Sequence, residues 1–395
     1  MISKEQIQNL AGSIFEEIVG FRRHLHANPE LSFKEFETSA FIREKLTTWG
    51  IPFESLANTG VVGLIKGDLP SDQVIALRGD MDALPILEAN DKSYVSKNPG
   101  VMHACGHDVH TSSLLGAAYI LNSLKAEFAG TIKLIFQPGE EVLPGGASIM
   151  IAEGVLENPT PHHIIGQHVM PLIEAGKVGF RSGIYMASTD ELYVTVKGKG
   201  GHGAQPHQNI DPVLIAAHLV VALQQIVSRN ADPRLPSVLS FGKVIANGAT
   251  NIIPNEVKLE GTFRTLNEEW RAEAKRLMKK MAEGLAESMG GSCEFTIMNG
   301  YPFLINEEVL TANARAFAVD YLGEENVVDL DIWMAAEDFA YYSQVTDACF
   351  YRLGTGNAAK NTQFSVHHPN FDVDEDALKI STGLMAYIAL RQLGN

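Results

Sequence analysis

The sequence predicts an α/β protein of two domains: a larger domain with a mostly parallel sheet flanked by helices, and an inserted α+β domain with a four-stranded antiparallel sheet and two helices. The chain has 395 residues, more than the roughly 250–300 that a single hydrophobic core usually supports. In its first half, short apolar runs alternate with segments of helical spacing. Near residue 188 the pattern changes to polar and apolar residues in alternation, which is typical of antiparallel strands.

The first half of the chain supplies the elements of the larger domain, over residues 1–184. Apolar runs at residues 61–66, 74–77, 131–136 and 164–165 predict strands, and residues 111–124 predict a helix. Continuous apolar runs are typical of strands that are buried on both faces of a parallel sheet. Residues 299–395 add a helix over 308–321, a strand over 348–352 and a terminal helix that begins near Asp374. We therefore predict that the chain returns to the larger domain.

Residues 185–298 predict the inserted domain. Strands are expected over residues 191–197, 237–244, 257–265 and 293–297, with helices over 212–227 and 267–289. Two helices on one side of four antiparallel strands form a compact unit with its own core.

Composition excludes several classes of protein. The chain carries 31 basic and 47 acidic residues, a formal net charge of −16, and a nucleic-acid binder needs a basic face. No membrane span is predicted, and the acidic, amphipathic N-terminus does not resemble a secretory signal. Three cysteines cannot build a disulfide framework. We expect a cytoplasmic protein with no nucleic-acid or membrane partner.

Polar residues cluster where the predicted strands end. Asp80 and Asp82 follow one strand, Glu140 and Glu141 follow another, and His168 ends a third. Ligands of α/β sheets bind beyond the carboxyl ends of the strands, so these side chains are expected to converge.

The densest chemical signal is the segment 102–110, Met-His-Ala-Cys-Gly-His-Asp-Val-His, which carries a thiol, a carboxylate and three imidazoles. This mixture of sulfur and nitrogen donors is typical of a zinc-like metal site. An alternative is a nucleophilic Cys105 activated by a histidine. A third interpretation is a binding protein without enzymatic activity, in which some of the metal-ligand positions would be expected to lack ligating residues. The additional carboxylates and histidines at other strand ends favour metal.

Ordered motifs along nearly the whole chain resemble a known family. They are Phe21-Arg22-Arg23-His24-Leu25-His26 with Pro29-Glu30, Leu77-Arg78-Gly79-Asp80-Met81-Asp82-Ala83-Leu84-Pro85, His-Ala-Cys-Gly-His-Asp, Gln-Pro-Gly-Glu-Glu, Gly-Gly-His-Gly-Ala-Gln-Pro-His, Asn251-Ile252-Ile253-Pro254-Asn255 and Ala336-Glu337-Asp338-Phe339. The chain resembles the metal-dependent amidohydrolases and exopeptidases that include hippurate hydrolase, N-acyl-L-amino acid amidohydrolases, auxin-conjugate hydrolases and, more distantly, aminoacylase and glutamate carboxypeptidase. The resemblance implies hydrolysis of N-acyl amino acids, hippurate-like or N-acetylated, or alternatively of small dipeptides.

The resemblance also assigns roles in the larger domain. It implies that the metal ligands are Cys105, His107, Glu141, His168 and His367. It makes Glu140 the general base and Asp82 a carboxylate that orients a ligand. Asp80 stands where distant relatives carry a metal-binding histidine and is left out of the ligand set. His367 is chosen over His368 because the family's histidine precedes the proline by two positions.

Five protein donors exceed the three that one open catalytic site normally uses, so we expect two divalent ions, with zinc, manganese and nickel as candidates. In the inserted domain, the resemblance implies that His202 polarises the scissile carbonyl, usually in the partner subunit of a homodimer formed through this domain. It also implies that Asn251 and Arg264 hold the substrate's carboxylate.

Overall fold

The structure is a computed structural model that describes residues 2–395. It separates into two compact units. The larger unit comprises the chain up to Tyr185, Ile305–Ile332 and Asp338–Asn395, and the smaller unit comprises Met186–Leu304 and Trp333–Glu337.

The elements are numbered here in chain order. The helices are α1 (Lys4–Ser13), α2 (Phe15–Ala27), α3 (Phe36–Thr48), α4 (His107–Ser123), α5 (Gly146–Ala152), α6 (Pro212–Gln225), α7 (Glu268–Ser288), α8 (Glu308–Leu322), α9 (Ala340–Ser343) and α10 (Asp376–Gln392). The strands are β1 (Phe53–Leu56), β2 (Gly60–Lys66), β3 (Leu69–Asp80), β4 (Ala129–Gln137), β5 (His163–Glu174), β6 (Val178–Phe180), β7 (Gly183–Met186), β8 (Asp190–Lys197), β9 (Gly201–His202), β10 (Ser237–Ile245), β11 (Ile252–Ile253), β12 (Glu256–Thr265), β13 (Ser292–Asn299), β14 (Leu304–Asn306), β15 (Val327–Asp329) and β16 (Asp347–Gly356).

The larger unit is built on a sheet whose order, within residues 2–395, is β1-β2-β4-β3-β5-β16-β6-β15. Its centre is parallel, since β4, β3, β5 and β16 all run in one direction. Helices α4 and α10 pack against each other, and almost every residue of α4 is buried. The predicted α/β fold class, with a mostly parallel sheet flanked by helices, is confirmed.

The parallel strands end in register at the edge where the polar residues lie. Asp80, the last residue of β3, pairs with Gln137, the last residue of β4. His168 was expected to end a strand, but β5 continues to Glu174. The reason is that β16 keeps pairing with β5 beyond the point where β3 ends, and Arg352 lies opposite His168. At His168, β5 therefore pairs with β16 but no longer with β3.

Helix α4 begins at His107, four residues earlier than the sequence analysis predicted. Gly106 precedes it with φ +82°, a left-handed conformation that glycine adopts without strain. A Cβ atom at Gly106 would lie 2.5 Å from Cγ2 of Val169, so the close approach also requires glycine. His107 to His110 are thus the first turn of the helix and not a preceding loop.

The smaller unit has an antiparallel sheet with the order β10-β12-β8-β13 within the described residues, and α6 and α7 pack on it. Asp211 caps α6 by accepting hydrogen bonds from the amides of Val213 and Leu214, and Asn267 caps α7 in the same way. The buried residues of both helices join one apolar core with the sheet. This is the α+β architecture that the sequence predicted.

One helical stretch within residues 2–395, Pro212–Asn230, is long and apolar enough to cross a membrane by length and composition alone. Its residues Ile215, Leu219 and Leu223 are fully buried in the core of the smaller unit. Core helices of soluble proteins pass the same test, so this stretch is weak support for a membrane span.

Candidate metal centre

Two groups of potential metal ligands meet at the edge of the larger sheet. Cys105, His107 and His168 form the first group, and Cys105, Glu141 and His367 form the second. In each group the donor atoms lie within 4.8 Å of one another, and Cys105 belongs to both. The structure therefore brings together all five side chains that the sequence analysis proposed as ligands.

The donor atoms are suited to a cation. Among the described residues, the buried Nε2 of His107 and Oε1 of Glu141 have no hydrogen-bond partner. Buried polar atoms are rarely left without one, and the exceptions call for a missing ion or water. Thiolate, imidazole and carboxylate together match the preferences of zinc and similar divalent ions. The residues present thus fit a divalent metal.

Asp82 contacts two of the proposed ligands. The Nδ1 atom of His107 lies 3.1 Å from Oδ1 of Asp82, so a proton on Nδ1 leaves Nε2 free for the cluster. The backbone amide of Glu141 donates to Oδ2 of Asp82 at 3.0 Å. Burial would raise the pKa of Asp82, but the hydrogen bond and charge of His107, together with the hydrogen bonds from Ser32 and the amide of Glu141, lower it.

His168 is held through a chain of buried groups. Its Nδ1 lies 2.8 Å from the carbonyl oxygen of Val169, and its Nε2 lies 3.4 Å from Sγ of Cys105. The amide of Val169 donates to Nε2 of His110 at 2.9 Å. His110 in turn contacts Oδ1 of Asp80 through Nδ1 at 2.5 Å. The neutral tautomer of His110 with its proton on Nδ1 satisfies both contacts.

Asp80 is occupied by these supporting contacts. Its Oδ1 faces His110, and its Oδ2 accepts a hydrogen bond from Arg78 at 2.5 Å. Burial alone would raise the pKa of Asp80, but Arg78 and the two nearby histidines hold it well below its usual value. Although Asp80 also lies near His107 and His110 in a potential ligand group, both of its oxygens have partners. Its exclusion from the ligand set stays our interpretation.

His367 lies closer to the cluster than its neighbour does. Its Nε2 is 3.3 Å from Oε1 of Glu141, whereas Nδ1 of His368 accepts a hydrogen bond from the amide of Asn370. His367 has φ +64°, and its amide donates to the carbonyl of Ala104 at 2.7 Å. A left-handed conformation in a residue other than glycine is uncommon and is often found at functional sites.

The surrounding carboxylates make the centre attractive to a positive charge. Burial would lower the pKa of His107, but Asp80 and Asp82 raise it to about 10. Burial and then Glu141 and Glu140 raise the pKa of the Cys105 thiol well above its usual value. A metal ion would displace these protons, since only the deprotonated groups coordinate.

Glu140 lies on the turn between β4 and α5, next to the proposed ligand Glu141. It is buried, with 6% of its surface exposed, and its Oε1 accepts a hydrogen bond from the amide of Asp338 at 3.3 Å. Glu35 also contacts this turn, since its Oε1 accepts a hydrogen bond from the backbone amide of Gly139 at 2.9 Å. Burial and then Asp82 raise the pKa of Glu35 to about 7.

The smaller unit carries the remaining predicted site residues. His202 ends β9 and pairs with Ile252 of β11, while the carbonyl of Asn251 accepts the amide of Gly203 at 2.9 Å. His202 and Asn251 are therefore neighbours. Arg264 lies on β12, and its Nη1 donates a hydrogen bond to the carbonyl oxygen of Met334 at 3.4 Å. Their roles stay predictions.

Sequence reasoning missed the residues that support the site, namely Glu35, Arg78, His110 and Asp338. Arg78 directly follows the apolar run 74–77 that predicts a buried strand, where an unpaired charge would be costly, and this was a signal that it has a carboxylate partner. Nothing in the local pattern marks Glu35.

Comparison with known proteins places these motifs in context. Residues 76–391 match the model of the peptidase family M20/M25/M40. The N-acyl-L-amino acid amidohydrolase of Geobacillus stearothermophilus is 43% identical over 306 residues, which are 77% of this chain and 82% of that protein. Thermostable carboxypeptidase 2 of Saccharolobus solfataricus is 37% identical over 98% of both chains.

A solved structure agrees with both units. The Bacillus subtilis YXEP protein, described as a dinuclear metal binding peptidase from the M20 family, is 35% identical and has a TM-score of 0.83 over 97% of this chain and 99% of that one. These matches confirm the resemblance that the motifs indicated, and with it the prediction of a metal-dependent hydrolase that acts on amides.

Proposed function

The chain belongs to the peptidase family M20/M25/M40, and on this premise we propose that it is a two-metal amidohydrolase that cleaves the amide bond of small N-acyl amino acids. The observation that carries the proposal is the pair of ligand groups that share Cys105. The relative from Geobacillus stearothermophilus, named for its action on N-acyl-L-amino acids, supports this substrate class. Hippurate-like and N-acetyl amino acids are the candidate substrates.

Each ligand group would hold one ion. Cys105, His107 and His168 would hold the first ion, and Cys105, Glu141 and His367 would hold the second, so that Cys105 would contribute to both. The dinuclear metal site named for the Bacillus subtilis structure supports two ions. The mixed donor set suits zinc, nickel or manganese.

Bound divalent ions supply Lewis acidity toward the amide carbonyl and lower the pKa of a coordinated water. Glu140 accepts a proton from the attacking water and delivers it to the leaving nitrogen, so that the C–N bond breaks as an amine and a carboxylic acid form. His202 donates a hydrogen bond to the carbonyl oxygen as negative charge develops on it. Asn251 and Arg264 hold the substrate's carboxylate.

The alternative of a nucleophilic Cys105 is less well supported. Such a cysteine needs a lowered pKa and an imidazolium partner. Here burial and two carboxylates raise the pKa of the thiol. His168, 3.4 Å away, has its pKa lowered well below the usual value by burial and then by Arg352. The other alternative is a metal-dependent exopeptidase for small dipeptides. The relative that is named as a carboxypeptidase supports this alternative.

A substrate screen separates these alternatives. We expect the purified protein, stripped of metal and reloaded with zinc, manganese, nickel or cobalt, to hydrolyse hippurate or N-acetyl amino acids faster than dipeptides. Activity should be absent after chelation and return on reloading. Preferential cleavage of dipeptides would favour the exopeptidase, and full activity without metal would favour the cysteine nucleophile.

We also propose a homodimer formed through the smaller unit. Helix α6 exposes Val213, Leu214 and Val221, the last to 75%, on the face opposite its buried residues. Strand β10 lies at the edge of the antiparallel sheet, and edge strands readily pair with another chain. A dimer would let His202 act in the site of the partner subunit.

Mixing two inactive variants tests whether His202 acts across the dimer. We expect His202→Ala and Glu140→Gln to be inactive separately and to regain about a quarter of wild-type activity when their subunits exchange at equal concentration, because half of the dimers are then hybrids with one complete site. No recovery, despite subunit exchange shown by mass spectrometry, would mean that His202 acts within its own chain or not at all.

The cytoplasm is the proposed location. Cys105, Cys293 and Cys349 are free thiols, and no disulfide occurs within the described part of the chain. A reducing compartment keeps the thiol of Cys105 available as a ligand.

A further inference from the structure

Asp338 holds both ends of the turn that carries Glu140 and Glu141. Its carboxylate accepts hydrogen bonds from the side-chain amide of Gln137, at 2.8 Å to either oxygen, and from the backbone amide of Ala147 at 3.0 Å. Gln137 is the last residue of β4, and Ala147 lies in the first turn of α5. The residues between them, 138–146, are thus tied at their start and at their end to one buried carboxylate.

The backbone of Asp338 contacts the reacting carboxylate itself. Its amide donates to Oε1 of Glu140 at 3.3 Å. An N–H donor favours the ionised form of a carboxylate and fixes the direction in which its free lone pairs point. Asp338 therefore constrains Glu140 through the main chain and through the turn.

Arg78 supplies the opposite charge that lets Asp338 be fully buried. Its Nη2 donates to Oδ1 of Asp338 at 2.8 Å, and its Nε donates to Oε1 of Gln137 at 2.9 Å. Neither side chain of the ion pair is exposed. A buried ion pair is a weak source of stability, so its presence beside the turn favours a role in geometry.

We propose that Asp338 is a positioning residue that fixes the turn 138–146 so that the carboxylate of Glu140 is held where it takes the proton of the attacking water. This inference rests on the proposed role of Glu140 as general base. Asp338 does not itself touch substrate in this scheme. Its effect should appear in kcat and not in KM, because it orders a group that acts only in the chemical step.

The test is Asp338→Asn, which keeps the side chain's size and the backbone donor to Glu140. An amide offers one acceptor oxygen instead of two, so the contacts with Gln137, Ala147 and Arg78 cannot all be kept. With N-acyl amino acid substrates, kcat should fall by about 100-fold while KM stays within a few-fold, as expected for a misplacement of about 1 Å. Independently of activity, hydrogen exchange should quicken about tenfold in the amides of residues 138–147 of the metal-loaded protein.

The matched control is Asp190→Asn in the smaller unit. Asp190 is also fully buried and pairs with an arginine, since Arg271 donates to both of its oxygens at 2.8 Å. This variant should lose stability to denaturant but keep both kcat and the exchange rates of residues 138–147. Equal kcat and equal exchange in the two variants would overturn the proposal.

A second variant covers the case in which Asp338→Asn does not fold. Gln137→Glu keeps an acceptor for Arg78 but replaces the donor to Asp338 with a negative charge, and it should reproduce the faster exchange. Unchanged exchange in a folded Gln137→Glu would contradict the role of Asp338. If the wild-type protein hydrolyses no acyl amino acid, the proposed function is wrong, while the exchange data still decide whether Asp338 fixes the turn.

Discussion

Replacing Glu140 with glutamine is expected to lower kcat by about 10²–10⁴-fold, the range over which a positioned general base contributes. Glutamine has nearly the same shape and can still accept the hydrogen bond from Asp338, but it cannot take a proton from water. The free energy of unfolding should change little, because Oε1 of Glu140 keeps its donor. Steady-state kinetics with an N-acyl amino acid, together with metal analysis of the same preparation, measures both expectations.

The adjacent Glu141 provides the matched comparison. Both glutamates lie on the same turn and form a potential ligand group with His107, but only Glu141 also belongs to a group with Cys105 and His367. Glu141→Gln should therefore lower the metal content, whereas Glu140→Gln should retain about two ions per chain. A Glu140→Gln variant with near-normal turnover would remove the base from our mechanism, and one that has lost its metal would make Glu140 a ligand.

The convergence of the ligands was predictable because it follows from strand direction. Parallel strands carry their carboxyl ends to one edge, so Asp80 at the end of β3 and the glutamates after β4 had to be neighbours once the apolar runs were identified as strands. The residue types gave a second signal, because a turn with only a structural role does not need a thiol and several imidazoles. Cys105 and His107 flank a glycine, and that glycine allows the approach to Val169.

The buried side chains that hold the site in place were not predictable in the same way. Asp338 contacts Arg78 across 260 positions of sequence and Gln137 across 201. Such contacts depend on side-chain packing between elements that no local periodicity relates. The end of β5 was misplaced for a similar reason, because its length is set by pairing with β16, which follows much later in the chain. The local pattern and the family resemblance indicated the candidate donors, but only the fold shows which side chains contact them.

Replacing Cys105 with alanine is expected to have the largest effect on metal content. Because Cys105 belongs to both ligand groups, its loss removes a donor from each proposed ion, whereas His168→Ala and His367→Ala each remove a donor from one. Loss of even an outer supporting group typically costs 10–100-fold in metal affinity, and loss of a donor shared by both groups should cost at least about 100-fold for both ions. Metal stoichiometry after dialysis against a weak chelator should fall to near zero in Cys105→Ala and to about one ion in each histidine variant.

The same measurement distinguishes a metal ligand from a nucleophile. If Cys105 attacked the substrate, Cys105→Ala would be inactive with its metals in place, because a nucleophile is not required for coordination. If it is the shared ligand, inactivity and loss of both ions should occur together, and high concentrations of metal should restore part of the turnover. Stoichiometric metal in an inactive Cys105→Ala protein would contradict the shared-ligand arrangement. Full occupancy of one ion with loss of the other would instead assign Cys105 to a single ion, which would leave His107 and His168, or Glu141 and His367, to bind the second ion without it.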